Sequence, residues 1–136
     1  MRTLWHKISL FLSMLFMAFA LSACGGSGPA KVAEKFERAA YAGDIDTVMS
    51  VIYFDDNDKK NGTEDMMRGK LSMMLVELKK QSDAKGGVKN IKTEKAQYNS
   101  DKTRATVNVT VTFKDKTEVT EDLSLMKTKK GWKVKL

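Results

Sequence analysis

The chain of 136 residues contains one cysteine, one histidine and one proline. A lone cysteine cannot close an internal disulfide, so whatever fold forms is held by its core. His6 and Cys24 both fall within the first 24 residues, which leaves residues 25–136 with neither side chain. Ser–His and Cys–His nucleophile pairs and histidine-based metal sites are thereby excluded from that stretch. Acidic residues are absent before Cys24, although 17 occur in the chain as a whole. No internal repeat is evident, and low complexity is confined to the glycine-rich stretch Gly25-Gly26-Ser27-Gly28-Pro29.

The front end has its own logic. Arg2 and Lys7 precede an apolar run from Ile8 to Leu21, interrupted only by Ser9 and Ser13. A positive start, a short apolar middle and a small-residue end are the layout of a secretory signal. The run is short of the roughly 20 apolar residues that a bilayer crossing needs. Leu21-Ser22-Ala23-Cys24 resembles the lipobox of bacterial lipoproteins. That resemblance implies a signal peptide over residues 1–23, cleavage before Cys24, and attachment of diacylglycerol and a palmitate-type acyl chain at Cys24. Burial of about 0.8 kcal/mol per CH₂ makes a single chain a marginal anchor, which accords with more than one chain being used. Residues 24–29 then serve as a flexible tether. Gly25 stands where an aspartate would imply inner-membrane retention, so the resemblance implies an outer-membrane lipoprotein facing the periplasm if the source has two membranes.

Loss of Arg2 and Lys7 with the signal leaves 22 basic against 17 acidic residues, an excess of five. Such a balance serves solubility. No nucleic-acid motif interleaves aromatics with the basic residues, so nucleic acid is not an expected partner. Residues 30–136 are one domain's worth of chain.

Helical spacing comes first in that domain. Ala30 to Ala42 reads as a helix after Pro29, with Val32, Phe36, Ala39 and Ala40 on its apolar face and Glu34, Lys35, Glu37 and Arg38 toward water. Gly43 offers a stop, and Asp44 a cap for a short helix carrying Ile45, Val48, Met49 and Ile52. A loop over residues 55–62 leads to Thr63, which is placed to cap a third helix reaching about Lys80, with the stripe Met67, Leu71, Met74 and Leu78. After Gly86-Gly87 the period changes to two. Strands are predicted over residues 88–98, 103–114, 118–127 and 132–136, the second alternating cleanly from Ala105 to Phe113. Helices followed by an antiparallel meander give an α+β class.

The order helix, Gly43-Asp44, short helix, longer helix and a meander ending in Lys130-Gly131-Trp132-Lys133-Val134 resembles the DUF4878-type lipoproteins of the NTF2-like (cystatin-like, SnoaL-like) superfamily. The resemblance implies a four-stranded sheet curved around the helices into a cone. It leaves activity open, because that superfamily holds enzymes, ligand binders and accessory domains.

Chemistry is sparse. Asp55-Asp56-Asn57-Asp58 suggests calcium, but Lys60, Asn61 and a missing final glutamate break the EF-hand pattern. Glu121 shares parity with Val119, Leu123 and Leu125, so it is a candidate general base on the apolar face; a bulge or strand end releasing it to solvent is the simpler alternative. Met66, Met67, Met73 and Met74 are assigned to core packing rather than a pocket. Tyr53, Phe54 and Trp132 are candidates for the rim of a ligand site, and Lys127, Lys129, Lys130, Lys133 and Lys135 for contact with anionic lipid or polysaccharide. The expectation is a non-enzymatic, membrane-anchored envelope lipoprotein, without cofactor or metal, that binds an apolar small molecule or an envelope protein. The alternative is a small pocket enzyme doing acid–base chemistry at Glu121.

Overall fold

A computed structural model describes residues 28–136. Helices α1 (Pro29–Ala42), α2 (Ile45–Val51), α3 (Asp56–Lys60) and α4 (Thr63–Ala84) precede strands β1 (Val88–Thr93), β2 (Gln97–Tyr98), β3 (Arg104–Phe113), β4 (Glu118–Thr128) and β5 (Gly131–Val134). The strands form one antiparallel sheet in the order β1-β3-β4-β5, with β2 also paired to β3. The strand expected over residues 88–98 is thus two segments laid along the same neighbour. Among the described residues no helix is long and apolar enough to cross a membrane.

Sequence periodicity explains why the sheet has one dry face. Ala105, Val107, Val109, Val111 and Phe113 of β3 are all buried, and their register partners Leu125, Leu123 and Val119 lie on the same side. The other side is wet and polar. There Asn108 Nδ2 donates to Asp122 Oδ1 at 2.9 Å, and the Thr110 and Thr120 hydroxyls meet at 3.1 Å. Helix α1 covers the dry face, packing Ala33 and Tyr41 into the valine row; the Tyr41 and Phe113 rings meet edge-on at 5.4 Å. A second cluster joins Ala39 and Ala40 of α1 to Val48, Ile52, Leu71 and Leu75. Helix α1 is therefore buried on two sides, one against the sheet and one against α2 and α4.

Local chemistry sets the joints. Gly43 ends α1 in the left-handed region at φ 73°, and Asp44 caps α2 by accepting from the Thr47 amide. Gly86, at φ 85°, passes so close to Lys114 that a Cβ there would lie 3.0 Å from the lysine Cβ. Both Asp-Lys-Thr triplets make tight turns: Asp101 and Asp115 accept from the amide and hydroxyl of the threonine two residues on. The lysine between, Lys102 or Lys116, is forced to positive φ.

Several local expectations are corrected. Residues 56–60 of the expected loop form α3, because Asp55 and Asp58 cap each other's amides in a reciprocal box; these carboxylates close a helix end. Thr63 is the first residue of α4, not its cap; Gly62 occupies the cap position with φ 79°. Helix α4 also runs on to Ala84. Met74, placed in its core stripe, is exposed, as are Met66 and Met73, since α4 meets the rest of the domain mainly through Leu71 and Leu75. Strand β5 pairs with β4 only over Leu125–Thr128, so among the described residues the outer edge of residues 118–123 has no strand partner.

Replacing Phe113 with alanine removes the ring on which Tyr41 packs and is expected to cost about 3–5 kcal/mol in urea unfolding. Lys116→Gly relieves a left-handed side chain and should instead raise stability by about 1 kcal/mol in the same measurement.

Candidate functional site

Two places in the domain hold unusual chemistry. One is inside. Ala33, Glu37 and Tyr41 succeed each other at i, i+4 and i+8 on the sheet-facing side of α1. Glu37 is only 2% exposed, and its Oε1 is buried with no hydrogen-bond partner among the described residues. The reading that put Glu37 toward water is corrected: α1 has two buried sides, one carrying Ala39 and Ala40 against the helices and one carrying Ala33 and Tyr41 against the sheet, with Phe36 packed on both. Spacing could have exposed this, since Glu37 lies midway between two apolar residues of one stripe.

Burial first, then the neighbouring Glu121 carboxyl and its charge, push the Glu37 pKa up to about 9. The Tyr41 hydroxyl is raised by burial and then by the same two carboxyls. Glu121 stands opposite Val109 in an unbroken β3–β4 register, on the face of Leu123 and Leu125, yet it is exposed to solvent. No bulge lies between them; the residue is wet because β5 does not extend alongside it. The arrangement is a neutral buried acid facing a second carboxyl at the rim. It can hold a proton and donate it.

The other place is a surface cleft of about 400 Å³ between the end of α2, α3 and the β4–β5 turn. Tyr53 and Phe54 wall it, both half-buried, where the chain leaves α2 and joins the edge of β5: Ile52 bridges to Val134, and the Tyr53 amide donates to the Val134 carbonyl at 2.8 Å. Lys59, Lys129, Lys130 and Lys133 line the same cleft. Lys133 donates from Nζ to the Ser50 carbonyl at 2.5 Å. Its pKa is lowered, by burial first and then by the charges of Lys130, Lys35 and Lys59.

The structure thus brings Tyr53 and Phe54 together and leaves Trp132 apart, stacked at a tilt on Tyr98 with ring centroids 5.8 Å apart. Of the basic residues singled out in the sequence, Lys129, Lys130 and Lys133 reach the cleft, while Lys135 lies over the Tyr53 ring at 5.2 Å. Cys24 lies outside the described residues.

Because the folded acid holds its proton far above the usual carboxylate range, folding takes up a proton at Glu37 once the unfolded chain has ionised. Stability should therefore fall as pH rises from about 4.5 to about 9 and level off above. Glu37→Gln should flatten that slope and raise stability near pH 7 by up to about 3 kcal/mol, measured by urea unfolding at pH 5, 7 and 9.

Comparison with known proteins places this geometry. A profile described as a domain of unknown function, DUF4878, matches residues 22–135. A crystal structure from Campylobacter jejuni, provisionally described as an NTF2-like transpeptidase, superposes with a TM-score of 0.67 at 28% identity, covering 81% of this chain and 99% of that one. No curated protein matches the chain. With the helices, the curled antiparallel sheet and this match over nearly its whole length, the chain belongs to the DUF4878 family of the NTF2-like superfamily.

Proposed function

We propose that the protein is an envelope lipoprotein, anchored through acylated Cys24, whose NTF2-like domain is a non-enzymatic binding module using the Tyr53–Phe54 cleft. The observation that carries the binding reading is the cleft itself: an apolar wall and a set of polar groups converge on about 400 Å³ of open space. The binding partner is a small molecule with an apolar part, or an envelope protein presenting one, and nucleic acid is not among the partners. The match to the family begins at residue 22, so the segment around Cys24 lies within it. Gly25 favours the outer membrane in a two-membrane cell. The Campylobacter jejuni description does not carry over easily, since residues 25–136 contain neither the cysteine nor the histidine of common acyl-transfer sites.

Metabolic labelling with an alkyne fatty acid should mark the wild-type chain and leave Cys24→Ala unmarked. Equal labelling of both, or of neither, removes the anchor. For the binding module, dihexanoylglycerol titrated into the full chain in neutral micelles should shift the amides of residues 49–54. Phe54→Ala should weaken that binding several-fold.

One observation favours a second reading, acid–base catalysis: the buried, protonated Glu37 beside Glu121. Under it Glu37 is the proton donor and Glu121 its exposed partner. Complementation of a deletion strain separates the readings, because Glu37→Gln and Glu121→Gln should both restore a binding module and both fail for an enzyme.

A further inference from the structure

We infer that the cleft takes a phosphate ester, with Lys59, Lys129, Lys130 and Lys133 holding the phosphate while Tyr53 and Phe54 receive the apolar part beside it. This deepens the binding reading above and rests on it. Four lysines line one concave surface whose walls carry only two carboxylates, Asp56 and Glu64, and the charges of Lys130 and Lys59 are close enough to act on Lys133. The three salt bridges found among the described residues, Arg38–Glu34, Arg68–Asp46 and Lys79–Asp83, involve none of these lysines. The cleft therefore keeps an uncompensated positive charge.

Lys133 registers that excess, since burial and the neighbouring Lys130, Lys35 and Lys59 all disfavour its charge. It uses one donor on the Ser50 carbonyl and has two left. An anion between these side chains removes their mutual repulsion and fills the free donors. Lysines act as compact point charges, and several of them around one concavity can meet the oxygens of a tetrahedral phosphate from different sides.

A lipid headgroup and a soluble phosphate ester share this chemistry. Anchoring at Cys24 favours the first. Four residue steps separate Cys24 from Gly28, a reach of at most about 14 Å, so the domain is held where headgroups are abundant.

The test uses the full chain in neutral detergent micelles, followed by amide NMR. Dihexanoyl phosphatidylglycerol and glycerol phosphate are each titrated into wild type, Lys59→Gln/Lys130→Gln and the control Lys89→Gln/Lys92→Gln. Neither cleft substitution removes a side-chain hydrogen bond seen in the fold, and Lys89 and Lys92 are exposed on β1. Expected are shifts at residues 49–54 and 128–133, affinity lowered about thirtyfold in the cleft variant, and a change within about twofold in the control. Binding of glycerol phosphate as tight as that of the lipid assigns a soluble ester; tighter lipid binding assigns the headgroup.

Equal loss in both variants would overturn the inference, as would no binding of either anion. Dihexanoylglycerol then separates the two levels: if it occupies the cleft, the binding site stands and only the phosphate fails; if it does not, both fail.

Discussion

Burial of one side of α1 against the valine row of β3 is the contact on which the domain depends. It closes the dry face of the sheet, and it fixes the direction from which α2 and α4 approach, because they pack on the adjoining side of the same helix. A helix enclosed in this way has little room for polar groups. Glu37 is placed there nonetheless, and it is tolerated by keeping its proton. The unusual acid is thus a product of the packing.

The two candidate sites divide the molecule. The carboxyl pair sits where the helix meets the sheet, and Glu37 does not line the lysine cleft. The cleft is built from the chain leaving α2 and from the turn into β5, where the Ile52–Val134 bridge ties the helical part to the last strand. Loops and element ends placed on a rigid scaffold are the usual seat of recognition. The cleft has that character, whereas Glu37 lies in the core with Glu121 at its rim.

Much of the architecture was legible in the residue pattern. Alternation from Ala105 to Phe113 marked β3 and its buried face, Gly86-Gly87 marked the change from helices to strands, and Gly43-Asp44 marked the joint between α1 and α2. Glu37 was legible only to a count that allows a second stripe, because counting one stripe treats a helix as having one buried side, and α1 has two. Met74 failed for the converse reason: α4 is covered along only part of its apolar face. In the site, Tyr53 and Phe54 could be named from their position at an element end. The contribution of Lys59 could not, since it depends on α3 folding where the acidic run suggested only a solvated loop.

The shortness of β5 has an effect on how the molecule behaves in company. Among the described residues, the outer edge of residues 118–123 presents free backbone donors and acceptors, a template onto which another extended chain could zip. Glu118, Glu121 and Asp122 fall within those six residues. Two such borders brought together would set like charges face to face, so the carboxylates oppose edge-to-edge pairing of two copies at the very place where hydrogen bonding invites it.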